Sequence, residues 1–165
     1  MIRARLWYGP AGHGVGMDRV ARYLRGPLAC EIAMQLRPHS GRWVDEIEMR
    51  GPLSACLLMR RAPEVSSDAW NLARRLPPDA PKALRQRLTE CTARLDICDL
   101  AGARPFTPAS GVGRSILTPL AFALGGIVEE VDSRRLRFPP LPEPEGGYRA
   151  FLRSLGRMLE VVRPR

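Results

Sequence analysis

Lysine is almost missing from this chain: of 26 basic side chains, 25 are arginine and the last is Lys82. Schiff-base chemistry, a phosphate-clamping P-loop lysine and the Glu-x-Lys arrangement of many nucleases share that single candidate. Planar, bidentate recognition of carboxylate or phosphate has many candidates. An arginine-leaning codon bias accounts for the ratio as readily as selection does. Histidine is scarce too. His13 and His39 both fall in turn-like segments, and no His/Cys pair has zinc-ligand spacing, so no metal and no cofactor are expected. His13 also lacks a nucleophile partner, because Ser40, Ser54, Ser110 and Ser115 have no elbow-like context. No catalytic residues are assigned, and the expectation is a protein that is not an enzyme.

Long apolar runs are absent as well. The longest, Ile116 to Val128, is too short to span a bilayer and contains Pro119 and two glycines. Met1 to Tyr8 has charges and no apolar h-region, so a cytoplasmic protein without membrane attachment is expected. Cys30, Cys56, Cys91 and Cys98 are scattered without a C-x-x-C, which favours reduced thiols, most of them buried. Aromatic residues are 6% of the chain, too few to line a basic face with stacking platforms.

What is present describes one α+β domain over residues 1–165, a mainly antiparallel sheet of about five to seven strands packed against four or five helices. Ile2, Leu6 and Tyr8 share one parity while Arg3, Arg5 and Trp7 share the other, giving a first strand with a wetter face. The loop Gly9 to Gly16 leads into a short helix begun by Asp18 and stopped by Gly26-Pro27. Leu28 to Arg37, Arg42 to Met49 and Leu53 to Arg61 read as an antiparallel meander. Arg25-Gly-Pro-Leu-Ala-Cys30 and Arg50-Gly-Pro-Leu-Ser-Ala-Cys56 repeat the same turn into a strand. Ser66-Ser67-Asp68 makes an N-cap cluster for a helix through Leu76, and Pro81 starts another, to about Thr92, after the Pro77-Pro78 break.

Ala93 to Leu100 alternates as a strand, with Arg94 and Asp96 on one side and Leu95 and Ile97 on the other. A helix from about Gly113 to Leu124 ends at Gly125-Gly126, and a hairpin follows, Ile127 to Val131 with Leu136 to Phe138 around Asp132-Ser133. The Pro/Gly-rich connector 139–147 precedes a C-terminal amphipathic helix over 148–162, whose Arg149, Arg153 and Arg157 form an exposed stripe.

Two surfaces concentrate the charge. The stripe Arg149, Arg153 and Arg157, with Arg134 and Arg135 of the hairpin, is the candidate partner-binding set. Gly111, Gly113, Arg114 and Ser115, at a helix start, form the candidate anion site. Gly9 to Gly16 lacks the final Gly-Lys-Ser/Thr of a P-loop and the last spacing of a dinucleotide loop, so a connecting loop is the simpler reading. The clusters Asp45, Glu46, Glu48 and Glu129, Glu130, Asp132 are expected to pair with arginines on the sheet surface.

The stretch Leu117-Thr-Pro-Leu-Ala-Phe-Ala-Leu-Gly-Gly-Ile-Val-Glu-Glu-Val131, a helix closing on Gly-Gly into an edge strand, resembles that of small α+β immunity proteins encoded by bacteria beside polymorphic toxins. The resemblance implies a protein that binds a toxin or effector, as an immunity or adaptor protein. At a net charge of +9 its partner would present an acidic surface. The alternative is a basic domain for nucleic acid or a phospholigand.

Overall fold

The computed structural model describes residues 1–12, 17–26, 30–39, 42–50, 54–60, 63–139 and 160–162. Their strands are β1 (Ile2–Tyr8), β2 (Glu31–His39), β3 (Arg42–Arg50), β4 (Ala55–Arg60), β5 (Ala93–Cys98), β6 (Ile127–Glu130), β7 (Arg135–Phe138) and β8 (Glu160–Val162). The helices are α1 (Met17–Arg25), α2 (Pro63–Arg74), α3 (Lys82–Thr89) and α4 (Gly111–Leu124). All eight strands join one sheet in the order β2-β3-β4-β5-β1-β6-β7-β8, and every neighbouring pair is antiparallel. The fold is α+β, as the sequence pattern predicts, with the meander β2-β3-β4 and the hairpin β6-β7 in place, but Pro38 and His39, expected in the turn after Arg37, lie in β2 opposite Trp43 and Arg42.

The N-terminal strand takes the central place. β1 lies between β5 and β6, and its alternation sends Ala4, Leu6 and Tyr8 into one apolar cluster with Val20, Leu24, Ile116, Leu120 and Leu124 of α1 and α4. Trp7, on the opposite parity, joins a second cluster with Val65, Ala69 and Leu72 of α2, Leu84 and Leu88 of α3, and Leu136 and Phe138 of β7. Helices therefore cover both faces of the sheet. A central strand with two covered faces must be apolar or internally paired on both, and this decides the fate of Arg3 and Arg5.

Element boundaries differ from expectation at several places, among them the end of α3 at Thr89 and of β5 at Cys98. α2 begins at Pro63, so Ser66, Ser67 and Asp68 lie within the helix and do not cap it. Proline is tolerated in the first turn because its missing N–H would have no intrahelical acceptor there. α4 begins at Gly111, with Ser110 as N-cap accepting the Gly113 N–H at 2.9 Å, and ends at Gly125 in the left-handed conformation at φ 58°. Glu160–Val162 is strand β8, paired with β7, within the segment expected to be the C-terminal helix 148–162. It takes the sheet one strand past the expected five to seven. Residues 148–159 of that helix, and 140–147 of the connector, lie outside the described residues.

Glycine serves close approach at two places. A Cβ on Gly12 would come within 2.6 Å of the Leu124 carbonyl oxygen, so the turn Pro10–Gly12 lies directly against the end of α4. A Cβ on Gly113 would collide with the Thr107 carbonyl oxygen.

At the start of β1, Arg3 Nε donates to both carboxylate oxygens of Asp99 at 3.0 and 2.9 Å, and its Nη1 donates to Asp132 at 3.0 Å. Asp99 also accepts the Phe106 N–H at 3.0 Å, joining the end of β5 to the loop that enters α4. The Arg3 hydrogen bond holds the Asp99 carboxyl below the usual carboxylate range, with the Phe106 N–H adding to it against the opposing effect of burial. A depressed folded-state pKa stabilises the fold above the ordinary carboxylate value and loses that contribution as the pH falls through the lower, folded value. Asp99→Asn keeps an acceptor for Phe106 and removes the titration. Its stability, followed by urea unfolding, is expected to fall less than that of the wild type between about pH 5 and about pH 2. Parallel pH profiles would contradict this assignment.

Candidate functional site

The α2-facing side of the sheet carries a grid of polar groups set by strand register. Trp7 of β1 stands between Arg94 of β5 and Ile127 of β6, and Arg5 stands between Asp96 and Glu129. Alternation along each strand puts all six on one face, so the charged pairs meet side by side under α2.

Arg94 is the node. Its Nη2 donates to Asp96 Oδ2 at 3.3 Å, and its Nε lies 2.7 Å from Asp96 Oδ1 without the alignment of a hydrogen bond, so Arg94 holds the fully buried carboxylate by one hydrogen bond and by close charge contact. Its Nη1 donates to Asp68 of α2 at 3.0 Å, which ties the helix to the sheet. The guanidinium carbon sits 4.9 Å from the centre of the Trp7 ring, so the charge is also covered by an aromatic face. Trp7 Nε1 donates in turn to Glu129 Oε2 at 2.9 Å, and Arg5 Nη1 reaches both Glu129 oxygens at 3.4 Å. Arg5 Nε lies 3.9 Å from Asp96 Oδ1, so attraction between them acts without a good hydrogen bond.

Beside this network opens a small cleft of about 190 Å³ lined by Arg5, Trp7, Asp68, Asn71, Leu72, Arg75 and Glu129. None of these seven residues is a serine, cysteine or histidine, and the carboxylates already accept hydrogen bonds from arginine or indole donors. The arrangement is suited to clamping α2 onto the sheet. Among the described residues no group of three or more His, Cys, Asp or Glu side chains could hold a metal ion.

The outer face of α2 is different. Val65, Ala69, Leu72 and Ala73 are buried, and between them Trp70 projects outward, 51% exposed. Arg74, one turn on, stacks over its ring at 4.8 Å. Arg75, also exposed, lines the cleft between α2 and the sheet. The C-terminal end of the helix is fixed from α3, where Arg85 Nη1 and Nη2 donate to the carbonyl oxygens of Ala73 and Pro77 at 2.7 and 3.1 Å.

The residues singled out from sequence are spread apart. Arg149, Arg153 and Arg157 lie outside the described residues. Arg134 is exposed in the hairpin turn with φ 50°, while Arg135, half-buried, opens β7 opposite Glu130. Gly111, Arg114 and Ser115 are exposed on the first turn of α4 and Gly113 is buried. Ser110 takes the Gly113 N–H, and the Ser115 hydroxyl donates to the Val112 carbonyl oxygen at 2.8 Å, so part of the anion site's donor set is engaged within the turn.

The acid clusters do pair with arginines, though in a different setting from the expected surface. Arg137 Nε donates to the buried Glu130 at 2.7 Å, and Glu129 and Asp132 meet Arg5 and Arg3. Arg50 and Glu48 approach to 3.7 Å on β3, whereas the side chains of Asp45 and Glu46 are outside the description. The sequence signal for Arg94 and Asp96 was their shared parity on β5. The signal for Trp70 was the helical spacing Val65, Ala69, Leu72, Leu76, which leaves position 70 facing away.

No family model matches the chain, and neither a curated protein nor a solved structure shows a match to it.

A buried pair broken on one side leaves an unpaired charge, while replacing both partners by apolar groups removes the desolvation cost. Asp96→Ala is expected to lower the unfolding free energy by about 3–5 kcal/mol. The double change Arg94→Met with Asp96→Leu should cost clearly less than the single one. Urea unfolding of the three chains checks this, and a double variant worse than the single would count against a paired network.

Proposed function

We propose that this chain is a non-enzymatic protein-binding protein that docks an acidic partner through the outer face of α2, with Trp70 and Arg74 as anchors. The observation carrying the proposal is the exposed Trp70 ring stacked by Arg74 on a helix that is otherwise well fixed. Tryptophan and arginine are the side chains most enriched at binding hot spots. A helix held by Asp68–Arg94 and Arg85 presents them with little ordering left to pay on association. The positive charge of Arg74, within a chain of net charge +9, favours a partner rich in carboxylates.

An immunity or adaptor protein that neutralises or escorts a bacterial toxin or effector fits this description, and the likeness of the Leu117–Val131 stretch to small immunity proteins points the same way. The cognate toxin would then be the product of a neighbouring gene. A second reading rests on the same residues, because a tryptophan flanked by arginines is also a stacking platform for single-stranded nucleic acid.

The test is affinity for the purified product of the neighbouring toxin or effector gene. Nanomolar binding is expected, weakened about 30-fold in Trp70→Ala, as a hot spot worth ~2 kcal/mol requires. Equal affinities of wild type, Trp70→Ala and Arg74→Ala would remove the α2 face from the interface. Steeply salt-dependent binding of single-stranded DNA or RNA that is lost in Trp70→Ala would favour the second reading.

A further inference from the structure

The cleft between α2 and the sheet holds more hydrogen-bond donors than its own acceptors use. Asp68, Asn71 and Leu72 line it at helical spacing along α2, Arg75 continues that row just past the helix end, and Arg5, Trp7 and Glu129 form the opposite wall. Glu129 already accepts from the Trp7 indole at 2.9 Å and from Arg5 Nη1, and Asp68 accepts from Arg94. Among the described residues the Arg75 guanidinium, the Asn71 amide and Arg5 Nη2 donate to no acceptor.

A carboxylate supplies what these donors lack, two acceptor oxygens in a plane that a guanidinium matches. A phosphate dianion fits less well. The two carboxylates of the lining offset its two arginines, and a second added charge would meet Glu129 and Asp68 within the same small cleft. Size then selects the form in which the carboxylate arrives. A volume of about 190 Å³ has room for about six waters at roughly 30 Å³ each, below the roughly 300–1,000 Å³ of small-molecule sites. A carboxylate on a stem of one or two methylenes, which is an acidic side chain, is of that size.

We infer that the cleft takes the carboxylate of an aspartate or glutamate side chain of the acidic partner, held by Arg75 and Asn71 on one wall and by Arg5 on the other. The inference rests on docking through the outer face of α2 and adds a second contact to it. Asn71 follows Trp70 and lies about 100° further round the helix, exposed like it, so a partner covering Trp70 reaches the mouth of the cleft.

The probe is sodium propionate, a glutamate side chain without its backbone, titrated into the full chain at constant ionic strength and followed by the Trp7 indole and Asn71 side-chain NMR signals. A saturable shift is expected with propionate and none with neutral propionamide. It should vanish in Arg75→Gln and persist in Trp70→Ala, because the Trp70 ring lies outside the cleft. A wild-type shift that does not saturate, that propionamide reproduces or that Arg75→Gln leaves intact overturns the proposal, and so does tighter binding of inorganic phosphate. With the product of the neighbouring toxin or effector gene, Arg75→Gln should weaken binding about tenfold, the loss of one charge-assisted contact. Full affinity in Arg75→Gln beside weakened binding in Trp70→Ala would keep the docking face and remove the acidic side chain from the cleft. Weakening in Arg75→Gln alone would keep the cleft and remove Trp70 from the interface.

Discussion

The close ion pair between Arg94 and the fully buried Asp96 is the constraint on which the rest of this structure depends. Both groups sit on the face of β5 that α2 covers, where an unpaired charge would cost several kcal/mol in desolvation. Arg94 can satisfy the pair and still reach Asp68 on α2, because a guanidinium offers five donors in a plane and its flat face can lie against Trp7. A lysine in that place would offer one point charge and no second plane. The position of α2, and with it the outward pose of Trp70, follows from this one side chain and the apolar residues around it.

The same logic recurs through the fold and changes the meaning of the arginine excess. Arg3 joins Asp99 and Asp132, Arg137 holds the buried Glu130, and Arg85 caps the end of α2. Arg87 reaches from α3 to the carbonyl oxygens of Gly125 and Pro139, at the end of α4 and just past β7. These guanidiniums face inward, toward carboxylates and helix C-terminal carbonyls that need donors. Several of the arginines are thereby engaged within the structure, while the net charge of +9, which already counts their carboxylate partners, is unchanged.

Much of the local structure was legible because it rests on short-range signals. The parity of Ile2 to Tyr8 and of Ala93 to Cys98, the Gly125 stop and the Asp132-Ser133 hairpin each follow from residues close in sequence. Strand neighbours are a different matter. Nothing local says that β1 lies between β5 and β6, so the meeting of Arg5, Arg94, Asp96 and Glu129 could not be read. Ser66-Ser67-Asp68 looked like a cap because those side chains favour one, but Asp68 lies inside α2 and its carboxylate goes to Arg94. The surface pairing expected of Glu129 and Glu130 became a buried one, since the sheet face that seemed wet is covered by a helix or by its own turn.

Arginine side-chain NMR tests the inward commitment of these guanidiniums most directly. The Nε–H groups of Arg3 and Arg137, which donate to carboxylate oxygens at 2.9 and 2.7 Å, and the Nη–H groups of the buried Arg94, which donate to Asp68 and Asp96, should exchange with water far more slowly than those of the exposed Arg104 and Arg114. The Arg94 signal should also show contacts to the Trp7 ring. If all five exchange at the same fast rate, the guanidiniums are solvated and the network does not hold α2 in place.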